Sequence, residues 1–86
     1  MPHYVYMLLS VNSTIPTTYV GYSTDPKKRL ERHNRGIGAK FTKGRIWKII
    51  YKKKLKTKSE ALKFEYFLKK NIKLRKIIKD KNINEY

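Results

Sequence analysis

The chain has 86 residues, enough for one small domain. Its 22 Lys and Arg stand against 6 Asp and Glu, a formal charge of +16, and it contains no cysteine. Disulfides and cysteine-based zinc sites are therefore excluded, while 40% hydrophobic residues supply a modest core and argue against wholesale disorder. A compact domain with this surplus repels itself, so the charge suits an anionic partner. Nucleic acid is the first candidate, ahead of an anionic membrane surface, because Lys and Arg neutralise phosphates. An AT-rich coding sequence would also raise Lys, Ile, Asn and Tyr, so charge alone does not decide the function.

In chain order, "HYVYMLLSV" (3–11) reads as a strand from its β-branched and aromatic content. No basic segment precedes it and no small-residue cleavage site follows, so a signal peptide or membrane span is not expected. The absence of targeting signals predicts a cytoplasmic protein, nucleoid-associated when bound to DNA. "NSTIPTT" (12–18) supplies turn residues, and "TYVGYS" (18–23) is a second short strand, giving an antiparallel hairpin. Gly21 inside it marks a bulge or a close approach to the backbone.

"STDPKKRLERHNRG" (23–36) predicts a helix capped by Thr24 or Asp25, with Pro26 at its first position and Gly36 at its exit. "RGIGAKFTKGR" (35–45) is a glycine-punctuated basic loop. It lacks the spacing of a Walker loop, and reads either as a phosphate-contacting turn through Lys40 and backbone N–H groups or as a plain surface turn. "RIWKIIYKKKL" (45–55) predicts a third strand, with Trp47, Ile49 and Tyr51 alternating against Ile46, Lys48 and Ile50. Trp47 is expected to pack, and Lys52, Lys53 and Lys54 to form a solvated basic strand end. "TKSE" (57–60) matches a capping box and opens a second helix, in which Phe64 and Phe67 are expected in the core. "NIKLRKIIKDKNINEY" (71–86) continues helical and basic. The order β-β-α-β-α, with room for a further helix, predicts a small α+β domain over residues 1–80 with a frayed tail over 81–86.

Several polar residues fall in unexpected places. Glu65 follows Ala61 by four residues and precedes Leu68 by three, so its carboxylate lies on or beside the core-facing stripe. Arg29 and His33 are four apart on one helix face, and Tyr6 and Tyr19 sit one on each hairpin strand. Separately, each has an ordinary reading: sheet aromatics, a solvated helix face, a helix-end histidine, a glutamate paired with Arg29 or a lysine. Gathered on one surface, they suit phosphodiester cleavage. A carboxylate can hold Mg²⁺ or Mn²⁺, an arginine can grip a phosphate oxygen, and a tyrosine or histidine can take a proton from water.

"YVYML", "TYVGYSTDPKKRLERHN", "GAKFT" and "ALKFEYFLK" together resemble the GIY-YIG nuclease superfamily, in the family's order and over about nine-tenths of the chain. The likeness is greatest to the compact branch with the Slx1 endonuclease domain and the small stand-alone bacterial GIY-YIG proteins, the UPF0213-like group. It implies a GIY-YIG-type fold, a three-stranded antiparallel sheet flanked by helices. It also implies a metal-dependent endonuclease acting on single-stranded or structured DNA and leaving 5′-phosphate and 3′-hydroxyl ends. By position, Tyr6 matches the proposed general base, with His33 the other candidate, and Tyr19 matches the second motif tyrosine near the attacking water. Arg29 matches the phosphate-contacting arginine and Glu65 the ligand of one Mg²⁺ or Mn²⁺. Lys28, Arg32, Lys40, Lys43 and Arg45 are the expected nucleic-acid contacts, with DNA the first partner, RNA the second and no membrane. "YVY" stands where the family's literal GIY would be. Without cysteine there is no RING-like zinc domain, so a full Slx1-type protein and its branched-DNA resolution are not expected. The rival reading is a non-catalytic DNA- or RNA-binding module on the same scaffold.

Overall fold

The structure is a computed structural model that describes residues 2–83. Strands β1 (His3–Ser10), β2 (Thr18–Ser23) and β3 (Trp47–Leu55) form an antiparallel sheet in the order β2-β1-β3, with helices α1 (Pro26–Asn34), α2 (Lys58–Lys70) and α3 (Ile72–Ile83). The chain is thus α+β in the order β-β-α-β-α-α. β1 lies in the middle with both faces covered, which is why Val5 to Ser10 are all buried. Among the described residues, no helix is long and apolar enough to cross a membrane.

Alternation along the strands sends side chains to two different layers. Val5, Met7 and Val20 point to one face and pack with Ala61 and Leu68 of α2; Leu74 and Ile78 of α3 flank them. Tyr6, Leu8 and Trp47 point to the other face, beneath Leu30 of α1. Burial of Val5, Met7 or Leu68, each at 0% exposure, contributes on the order of 1.5–3 kcal/mol. The expected alternation in β3 fails at one place. The pairing register shifts between Met7 and Leu8, Met7 facing Tyr51 and Leu8 facing Ile49. A bulge at Ile50 therefore turns Tyr51 to the α2 face while Trp47 and Ile49 stay on the α1 face.

The helix ends follow local chemistry. The Asp25 side chain, rather than Thr24, caps α1 by accepting from the Lys28 N–H at 3.2 Å, and the chain leaves α1 through Gly36 at φ 78°. Thr57 Oγ1 accepts from the Glu60 N–H at 3.1 Å to open α2. Asn71 breaks the long helical tail in two: its backbone leaves the helical region and its Oδ1 accepts the Leu74 N–H at 3.0 Å. α3 then runs through the start of the expected frayed tail; residues 84–86 lie outside the described part. Arg45 and Ile46 fall short of the third strand and tether the β1–β2 loop. The Arg45 guanidinium donates to Thr17 Oγ1 at 2.9 Å, and the Ile46 N–H to Asn12 Oδ1 at 3.0 Å.

Candidate active site

The α1 face of the sheet buries a polar relay. Tyr6 stands opposite Gly21 in a register that runs unbroken from Tyr4 to Leu9, so Gly21 is no bulge. The Tyr6 phenol lies over Gly21, where any Cβ would collide with its hydroxyl. That glycine lets the phenol reach the edge strand. The Tyr6 oxygen lies 3.0 Å from His33 Nε2, and His33 Nδ1 lies 2.8 Å from Thr42 Oγ1. Thr42 donates its own proton to the Ala39 carbonyl at 3.0 Å, so it must accept from His33. The imidazole is therefore protonated at Nδ1, and its Nε2 accepts from the Tyr6 hydroxyl. All three side chains are fully buried.

The loop after α1 exists in this form to hold that histidine. A Cβ at Gly38 would run into the His33 ring and backbone. The Trp47 indole N–H donates to the Thr42 carbonyl at 3.0 Å, and the Asn34 side chain clasps both backbone groups of Trp47. Glycine in "GIGAK" thus makes room for His33; Thr42, Gly38 and Asn34 were not expected as site supports. The cue was the quoted "GAKFT" itself, whose Thr42 lies nine residues beyond His33.

Tyr19 covers the relay from outside. Its ring centre is 5.0 Å from that of His33 and 6.2 Å from Phe41, against which it stacks. Arg29 lies one helical turn before His33. Its Nε is buried and has no hydrogen-bond partner among the described residues. Leaving a buried donor unpaired costs about 1–3 kcal/mol, a cost that an anionic oxygen placed there would remove.

Electrostatics tie these groups together. Burial pushes the Tyr6 phenol above its ordinary pKa, and the nearby Arg29 guanidinium pulls it part of the way back. The charges of Tyr19 and Glu65 push it up further. Burial and Arg29 both lower the His33 pKa. The resting relay is a neutral imidazole accepting from a neutral phenol.

Glu65 arrives from the other side of the sheet. α2 covers the opposite face, and Glu65 stands on the flank of its core-facing stripe, the buried Ala61 and Leu68 with the half-buried Phe64. α2 packs against β1 and the edge strand β2, where the Tyr6 hydroxyl ends, so the carboxylate and the phenol come into electrostatic reach at that edge. The Glu65 side chain is 19% exposed, and Lys69 Nζ approaches it at 3.6 Å, beyond hydrogen-bond distance. Its oxygens thus keep acceptor capacity. Among the described residues no three His, Asp or Glu stand together as a metal cluster. A lone carboxylate still fits Mg²⁺, which keeps several waters and shares its shell with substrate phosphates.

The expected nucleic-acid contacts divide. Lys28, Arg32, Lys40 and Lys43 are exposed on α1 and the following loop. Arg45 is partly buried: it holds Thr17 and lies over the Phe41 ring at 5.3 Å. Trp47 packs at 2% exposure, whereas Phe67, expected in the core, is 50% exposed because only its neighbours Phe64 and Leu68 face the sheet.

Residues 2–79 match the family model described as the GIY-YIG catalytic domain. The chain belongs to the GIY-YIG family, whose domain is that of nucleases. It is similar to UPF0213 proteins of Staphylococcus aureus strains Mu50 and N315, each 41% identical over 76 residues covering 87% of this chain and 89% of the relative. It is also similar to the UPF0213 protein of Bacillus halodurans solved by NMR: 35% identity, 88% of this chain and 79% of that one covered, TM-score 0.49.

Proposed function

We propose that the chain is a divalent-metal-dependent endonuclease hydrolysing phosphodiester bonds of single-stranded or structured DNA, leaving 5′-phosphate and 3′-hydroxyl ends. The observation that carries this reading is the Tyr6–His33–Thr42 relay beside an arginine with a buried, unpartnered donor. Arg29 binds a non-bridging oxygen of the scissile phosphate and stabilises the charge that grows there. Tyr6 takes a proton from the attacking water while passing its own to His33 Nε2. Both His33 nitrogens are engaged, so His33 acts behind Tyr6, and Tyr6 is the general base. Thr42 holds the tautomer that leaves Nε2 as the acceptor for this proton. Tyr19, outside the relay, positions water and phosphate. Glu65 would hold one Mg²⁺ or Mn²⁺, which supplies charge stabilisation at the leaving oxygen.

One observation favours the rival non-catalytic DNA- or RNA-binding module: among the described residues Glu65 has an ion-pair partner in Lys69, an exposed cation of its own helix that can compensate its charge. Incubation of labelled single-stranded, duplex and branched DNA with Mg²⁺, Mn²⁺ or EDTA, beside Glu65→Ala and Arg29→Ala, separates the two. Metal-dependent cutting lost in both variants supports the nuclease. Gel shifts without cutting, unchanged by Glu65→Ala, support the binding module.

A further inference from the structure

The outward side of α2 is not an ordinary solvated face. Leu62 is 43% exposed, Tyr66 63%, and Ile72, just past the helix, 71%. Two adjoining hollows share Tyr66: one reaches Lys58, Leu62 and Lys63, the other Phe67, Lys70 and Ile72. Among the described residues no carboxylate lines either hollow, and the Lys70 ammonium lies 5.2 Å from the centre of the Tyr66 ring. An apolar patch rimmed by lysines marks an interaction site. Its cations repel a second copy of a +16 chain and attract an anion that also brings flat apolar surface.

We propose that this face is a binding platform for single-stranded nucleic acid. Bases stack on Tyr66 and pack against Leu62 and Ile72, while phosphates meet Lys58, Lys63 and Lys70. An unpaired strand offers both parts at once; a duplex keeps its bases in its own stack and offers phosphates alone. The platform also lies on the right flank of its helix. Leu62 and Tyr66 stand about 60° and about 100° round α2 from Glu65 in the same sense, away from the core-facing Ala61, Phe64 and Leu68. A strand on this face therefore runs beside Glu65, which deepens the nuclease reading and rests on it only for where the strand is cut.

The test is fluorescence anisotropy in EDTA with labelled oligothymidylate, oligouridylate and a DNA hairpin duplex. Tyr66 is exposed, so its replacement leaves the core intact. Tyr66→Ala should weaken single-strand binding about tenfold and leave duplex binding unchanged, with Tyr66→Phe restoring the affinity. Lys63→Ala and Lys70→Ala should each lower the log–log salt slope by about one. Tighter oligothymidylate assigns the platform to DNA and tighter oligouridylate to RNA. Unchanged single-strand affinity in Tyr66→Ala, or an equal loss for duplex, overturns the proposal. So does Tyr66-dependent sedimentation with phosphatidylserine vesicles while strand binding is unaffected, which gives the face to a membrane. Cleavage by Glu65→Gln is not read in this assay, so the nuclease reading can fail separately.

Discussion

The two faces of one small sheet do different work. Beneath α2 and α3, Val5, Met7, Val20, Ala61 and Leu68 form an aliphatic layer whose requirement is volume. Beneath α1, Tyr6, His33 and Thr42 occupy space that aliphatic side chains could fill, and each of their polar atoms must find a partner. β1 serves both, since its alternation hands Val5 and Met7 to one layer and Tyr6 and Leu8 to the other. The difference teaches that two equally buried layers can carry different demands: the one under α2 asks for packing alone, and the one under α1 is arranged for chemistry as well. Glu65 is the exception: it rides on the helix of the packing layer but stands at its edge, where the two sides meet.

Substitutions on the two faces should therefore separate stability from activity. Arg29→Ala should lower single-turnover cleavage by about 10²–10³ without lowering thermal stability, because among the described residues the buried Nε has no hydrogen-bond partner to lose and its unpaired state already costs stability. A large fall in melting temperature would mean that the guanidinium holds the fold. Leu68→Ala should do the reverse, destabilising the domain by about 2–5 kcal/mol in urea titrations with a normal rate for the molecules that stay folded. Gly21→Ala should couple the two. Its Cβ displaces the Tyr6 hydroxyl from His33, costing about 1–3 kcal/mol of stability and most of the activity; wild-type behaviour would show that the phenol does not need its place over β2.

The smallest expected effect is one of pH. The folded protein holds His33 below its ordinary value, so the unfolded chain binds that proton more readily. This contribution to stability is full above about pH 6.5 and is lost as the pH falls below it toward the lower folded value. Tyr6, held above its ordinary value, contributes fully below about pH 10 and loses its share as the pH rises through the raised folded value. His33→Gln should be less stable than wild type at neutral pH but should lose less on acidification. Parallel acid limbs in the two proteins would contradict a buried neutral imidazole.

Much of this was legible in the residues, for reasons that differ by element. β1 and β2 announce themselves because their side chains are β-formers and their turn is polar; α1 because Asp25, Pro26 and Gly36 mark its ends. The β3 bulge was not legible, since "KIIYK" reads equally well with or without one extra residue and only the pairing with Met7 and Leu8 decides. Gly21 could be marked as special, but whether for a bulge or a close approach depends on a phenol fifteen positions away. The segment "GAKFT" with Thr42 and Gly38 stands out through its family likeness, but its service to His33 depends on a hydrogen bond and a close approach that spacing alone does not carry. Glu65 stood out because a carboxylate beside a buried stripe needs compensation. What its compensation is depends on chemistry that spacing does not carry.

The most direct test is single-turnover cleavage of a labelled single strand by wild type and Glu65→Gln, with the dissociation constant measured in parallel. If the carboxylate, relay and guanidinium form one hydrolytic centre, Glu65→Gln should bind the strand as wild type does and cut it at least about 10² more slowly, and EDTA should abolish cutting by wild type. Undiminished cutting by Glu65→Gln, or cutting that survives EDTA, would contradict the account.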